Sequence, residues 1–192
     1  MKVAPAIGML ELSSLARGVL VVDAVVKRAP ITLHAGEAVS NGKYILLFSG
    51  DVSSVEESLQ AGVAVAGEYL VDQVFLPQIH PQVTSFLISP KRDFLIDSLG
   101  LIETISAATI IYVADAVCKT STVNIVDLKL AKGIGGKGFL LFSGNLADVE
   151  ASLDAGAELA QRFEKLTRKE VIPSPHQDLS SLLMEGGTIA LR

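Results

Sequence analysis

The chain has 192 residues, enough for one ample core or two small ones, since domains cluster near about 100–150 residues. Hydrophobic residues make up 49% and charged residues 19%, with a mean hydropathy of +0.47, which excludes disorder. Charged residues interrupt every apolar run before it reaches the roughly 18 residues of a membrane span, so the surplus apolar surface is expected to face other subunits. Sixteen Lys and Arg against 21 Asp and Glu leave a net charge of −5, with no basic cluster to neutralise phosphates, and nucleic acid is excluded as a partner. Cys118 is the single cysteine, so no intramolecular disulfide is possible. The start MKVAPAIGMLEL has no basic-then-apolar leader, and the two features together point to a cytosolic protein.

In chain order, residues 3–12 read as a strand, and 14–28 as a helix rich in Ala, Leu and Val. After the helix-ending Pro30 the chain is extended to residue 39. Residues 43–49 are apolar enough for a central strand, and Gly50 turns. Asp51 caps a helix running to about residue 69, and a last strand spans 71–76. Segment 85–98, SFLISPKRDFLIDS, reads as a linker whose Phe86 to Ile88 pack down.

Beyond the linker the pattern returns. GKYILLFSGDVSSVEESLQAG (42–62) laid over GKGFLLFSGNLADVEASLDAG (136–156) is identical at 13 of 21 positions, an offset of 94. Chance gives about one or two matches in such a window, so the chain is an internal duplication. Residues 7–27 align with 99–119 at an offset of 92, keeping Gly8/Gly100, Glu11/Glu103, Asp23/Asp115 and Lys27/Lys119 in step. A further two-residue shift sets LPQIH (76–80) against IPSPH (172–176), and Asn145 takes the capping place of Asp51. Two domains follow, 1–90 and 91–192, each a β-α-β-β-α-β ferredoxin-like unit of the α+β class.

The segment LGLIETISAATIIYVADAVCKTSTVNIVDLKLAKGIGGKGFLLFSGNLADVEASLDAG resembles a bacterial microcompartment shell domain. Its family pattern has Gly-x-x-Glu-Thr, then Ala-Asp-Ala-x-x-Lys, then a glycine-rich loop before the third strand. The likeness spans both copies, about 5–84 and 97–180, and is to the tandem-domain type, nearest the propanediol-utilisation one. It implies a structural shell component without enzyme activity, in the bacterial cytoplasm. Three chains would form a trimeric pseudohexamer whose central pore passes small polar metabolites, with other shell proteins and the enclosed enzymes as partners. The alternative from the doubled fold alone is a regulatory protein that binds a small molecule, because ferredoxin-like repeats also build sensors.

By that resemblance the pore is lined by Ser40, Asn41 and Gly42 from one copy and Gly133, Ile134, Gly135 and Gly136 from the other. The residues alone equally suit tight turns between strands, since glycine permits positive φ in either case. The related tandem protein carries a cysteine where Ser40 stands, and serine is a poor ligand for an iron–sulfur cluster, so no cofactor is expected. Cys118, matched to Val26 in mid-helix, reads as a core residue. Lys27 and Lys119 end the first helices and, by resemblance, belong to the edge between plates. The family's edge arginine is replaced by Gln78 and Ser174. His80 and His176 recur beside prolines, without Cys or acidic residues at metal-ligand spacing, and read as turn or edge hydrogen-bonding groups. His34 has no counterpart and reads as an ordinary strand residue. Glu11 and Glu103 sit at equivalent, separate places and not across one cleft, which disfavours a paired-carboxylate hydrolase.

Overall fold

The computed structural model describes residues 6–185. In the first copy β1 (Ala6–Leu12), α1 (Leu15–Arg28), β2 (Thr32–Val39), β3 (Lys43–Gly50), α2 (Val52–Ala66) and β4 (Leu70–Leu76) follow the expected order, and residues 3–5 of the first expected strand lie outside the described residues. The second copy repeats it with β5 (Ser98–Thr104), α4 (Ala107–Thr120), β6 (Asn124–Leu130), β7 (Gly138–Gly144), α5 (Leu146–Arg162) and β8 (Leu166–Ile172). The sheets are ordered β2-β3-β1-β4 and β6-β7-β5-β8, every pairing antiparallel, which is the ferredoxin-like topology.

Each sheet has one face under its two long helices. Leu10, Leu46 and Phe48 pack with Val21 and Val25 of α1 and Val55 and Leu59 of α2. Ile102, Leu140 and Phe142 do the same with Val113 and Val117 of α4 and Val149 and Leu153 of α5. Gly8 and Gly100 make this packing possible: a Cβ there would stand 2.5 Å from the Phe48 ring and 2.3 Å from the Phe142 ring. Ser14, Asp51, Ser106 and Asn145 each accept a backbone N–H at a helix start, satisfying donors that the helix itself leaves free.

Two elements depart from the sequence reading. The expected linker 85–98 begins inside a helix, because α3 runs Pro81–Ile88, and its counterpart α6 spans Gln177–Met184. These helices cover the other face of each sheet, α3 through Val83 and Phe86 and α6 through Leu179 and Leu183. At eight residues each they are too short for a periodic signal to stand out. The second helix of the first copy stops at Ala66 and not near 69: Gly67, at φ 55°, breaks it into a 3₁₀ turn over Gly67–Tyr69.

The copies meet through α4, which lies along β4 at the edge of the first sheet. There Tyr112 accepts from Phe75 N at 2.8 Å and donates to Phe75 O at 3.3 Å, closing backbone groups that an edge strand leaves open. Gln82 of α3 repeats the device on β6, accepting from Ile125 N at 2.9 Å and donating to Val123 O at 3.0 Å. Burial, with the nearby Asp72 charge, raises the pKa of the Tyr112 phenol against the opposing pull of the Phe75 backbone hydrogen bond, so the hydroxyl stays a donor.

Candidate functional site

The link between β2 and β3 (Ser40–Gly42) and the link between β6 and β7 (131–137) come from opposite halves of the chain and meet at one corner. Ser40 Oγ accepts from Gly133 N at 2.8 Å, and Asn41 Nδ2 donates to Gly135 O at 2.7 Å. Lys43, just beyond the first link, donates to Gly136 O at 3.1 Å. Left-handed backbone is concentrated here: Asn41, Gly42, Ala131, Gly133, Gly135 and Gly136 all have φ between 59° and 78°. Glycine tolerates that region without a Cβ penalty, which explains why both links are glycine-rich. All seven residues that the resemblance assigns to a pore therefore lie together, and Ser40 and Asn41 are occupied in tying one loop to the other.

Lysines around this corner are matched one to one by carboxylates. Lys132 pairs with Glu37 at 2.6 Å, Lys43 with Glu11 at 2.6 Å and Lys137 with Glu103 at 3.1 Å. The corner thus offers backbone and amide groups, with the flanking charge balanced pair by pair.

Glu11 and Glu103, equivalent in sequence, have different surroundings. Glu11 is fully buried: its Oε2 accepts from Ala107 N at 2.9 Å and Ala108 N at 3.2 Å, at the start of α4. Ser106 donates to Asp72, lies 3.1 Å from the same Glu11 oxygen, and caps Thr109 N. Thr109 also donates to Asp72 at 2.9 Å. A helix start favours negative charge, and two carboxylates from the first copy supply it to the second. Glu103, in contrast, has a side chain 38% exposed and only Lys137 as a partner among the described residues. The spacing of the repeat marked these glutamates as equivalent, and no local signal distinguishes the buried one.

Lys119, Gln78 and His80 come together at the far end of α4. Lys119 Nζ donates to Gln78 O at 2.7 Å and pairs at 2.6 Å with Asp115, whose other oxygen accepts from His80 N at 2.7 Å. Lys27 pairs at 2.7 Å with Asp23, both exposed, and Ser174 and His176 stand in an exposed turn. His80 and His176 are the caps of α3 and α6, their Nδ1 atoms accepting from Gln82 N and Asp178 N at 3.3 Å. Cys118 is buried, and desolvation, with Asp115 nearby, pushes its thiol up to about 12. Among the described residues no three His, Cys, Asp or Glu side chains gather as a metal site would need. A cleft of about 750 Å³ lies away from the loop corner, between β2, α3 and the start of β6. His34 lines it at 2.7 Å from Ser49 Oγ, and burial lowers its pKa, which favours the neutral imidazole.

Duplicated ferredoxin-like units whose glycine-rich loops converge define a recognisable class. The BMC domain family matches residues 6–79 and 98–175, and the chain belongs to this family, as a bacterial microcompartment shell protein with two domains in tandem. It is 35% identical over 181 residues to the shell protein PduT of Citrobacter freundii, covering 94% of this chain and 98% of that one. The single-domain shell protein EutM of Escherichia coli is 37% identical over 90 residues, 47% of this chain and 91% of that one. A crystal structure of a microcompartment protein from Desulfitobacterium hafniense superposes with a TM-score of 0.84 at 41% identity, over 92% of this chain and 98% of the other. Nothing in these comparisons supports the regulatory, ligand-binding alternative.

Proposed function

We propose that three copies of this chain close into a flat pseudohexameric plate of a microcompartment shell in the bacterial cytoplasm, with the paired loops of each chain lining a central pore. The observation that carries this reading is an unfinished repeat of the junction inside the chain. The face of α4 that rests on β4 is buried, with Ala107 and Ile111 fully covered and Cys118 7% exposed. The matching face of α1 is open: Leu15, Val19 and Val26 are 44%, 61% and 43% exposed. Strand β8 of the second copy, the match of β4, has its outer edge unpaired among the described residues. One open face and one open edge per chain make a heterologous contact, and with two equivalent copies in each chain a ring of six copies is closed by three chains.

The domains divide at 90/91, between α3 and β5. Small polar metabolites cross the pore through backbone N–H groups and amides, with no fixed charge unmatched at the corner. Lys27, Lys119, Gln78, His80, Ser174 and His176 belong to the rim, where plates meet each other and other shell proteins. The protein acts as a wall and carries out no reaction, with the enclosed enzymes as its neighbours on one side.

Light scattering of the purified chain tests the plate: the expected mass is three times 20.2 kDa, or 60.6 kDa. Electron microscopy of concentrated protein is expected to show sheets or tubes. A monomer at micromolar concentration would overturn the reading.

A further inference from the structure

We infer that Glu103 is an intersubunit latch, a half-exposed carboxylate in the single chain that is completed by the first turn of α1 from a second copy. The inference rests on the ring reading above and names the contact that holds the ring.

Within the chain, Glu11 shows what this glutamate does when its partner is present. Lys43 holds one oxygen at 2.6 Å, and the other accepts both N–H groups that open α4, from Ala107 and Ala108, beside the capping Ser106. Every component recurs in the second half. Glu103 matches Glu11, Lys137 matches Lys43 and already pairs with Glu103, and α1 opens with Ser14, Leu15 and Ala16 where α4 has Ser106, Ala107 and Ala108. Ser14 caps Arg17 N at 3.3 Å as Ser106 caps Thr109 N at 3.2 Å. Leu15 and Ala16 are exposed, and α1 has no acidic residue in its first turn to meet their N–H groups. Among the described residues, a carboxylate without amides and amides without a carboxylate thus sit in the two copies of one chain, in the sequence context that is filled at its middle. They are separated by the repeat itself, so one chain cannot join them and a second copy can.

Three other side-chain contacts around the first turns of α4 are not kept in the repeat. Asp72, which takes Ser106 and Thr109, becomes Arg168; Thr109 becomes Arg17; Tyr112, which seals the β4 edge, becomes Leu20. None of these replacements can reproduce its counterpart's bond, which leaves Glu103 as the carboxylate retained for the first turn of α1; at the far end of the helix, Asp115, Lys119, Gln78 and His80 recur as Asp23, Lys27, Ser174 and His176. Once the first turn of a second copy's α1 covers it, loss of its charge would leave two N–H groups with a weaker acceptor.

The test is Glu103→Gln, which keeps the shape and removes the charge, in the full chain. The side chain is half-exposed before assembly, so thermal unfolding of the dissociated chain is expected to be unchanged. The dissociation constant for chains, from light scattering across a dilution series, is expected to rise about tenfold or more, the scale of a charged hydrogen bond. Hydrogen exchange supplies a second reading. At concentrations where the variant is still assembled, the amides of Leu15 and Ala16 should exchange faster than in the parent assembly, since no helix bond protects them. A parent protein that assembles, with a variant identical in both readings, overturns the latch and leaves the ring standing. A parent protein that never assembles overturns both.

Discussion

Single residues in this chain gain their roles from position in the repeat more than from chemical type. Cys118 is a case where the type misleads, because a lone thiol in a shell protein invites a functional reading. It lies on the α4 face that meets the first copy, near Gln82, and burial together with Asp115 pushes its pKa up to about 12, so it remains a neutral thiol. A thiol-specific aromatic disulfide at about pH 8 should leave the native chain unlabelled and react with one thiol per chain in guanidinium chloride. Prompt labelling of the native protein would place the residue at an accessible surface. Ser40 carries the opposite lesson. Its hydroxyl accepts the Gly133 N–H, and that hydrogen bond between loops was not legible from the substitution of serine for cysteine.

Among elements, the sharpest demand falls on the first strand of each copy, where a glycine faces an aromatic ring. The rings of Phe48 and Phe142 occupy the space that a Cβ at Gly8 or Gly100 would need, and both rings are fully buried. Gly100→Ala is expected to cost about 1–3 kcal/mol through displacement of Phe142 within a close-packed core. Urea unfolding monitored by circular dichroism measures it, and an unchanged midpoint would show that the second core can yield at this point. The strands and long helices were legible because their periodicity, caps and glycine turns agree. Helices α3 and α6 were not, since a short helix that packs through two or three side chains leaves too little pattern to distinguish it from a loop.

For the whole molecule, the two lysines that the sequence treats as a pair have separate duties. Lys119 is held between Asp115 and Gln78 O, so Lys119→Asp sets a carboxylate against a buried one and is expected to lower the stability of each chain, read as a lower thermal midpoint. Lys27 pairs with Asp23 in solvent, a contact worth at most about 1 kcal/mol, so Lys27→Asp is expected to leave the fold of the single chain unchanged while sheets are lost in electron microscopy. Sheets that persist would return Lys27 to an ordinary helix-end residue.

The duplication, the α+β class, the ferredoxin-like order, the glycine-rich loops and the family were all legible in the sequence, because each is a local pattern written twice at a readable offset. The tertiary structure decided which copy of each repeated residue is satisfied within the chain. Glu11 and Glu103 are indistinguishable in sequence, as are Lys119 and Lys27, yet one of each pair meets the other half of its own chain and the other faces outward. The reason is connectivity: a chain with two copies has one internal junction, so one set of matching faces is covered by folding and the other remains for a neighbour.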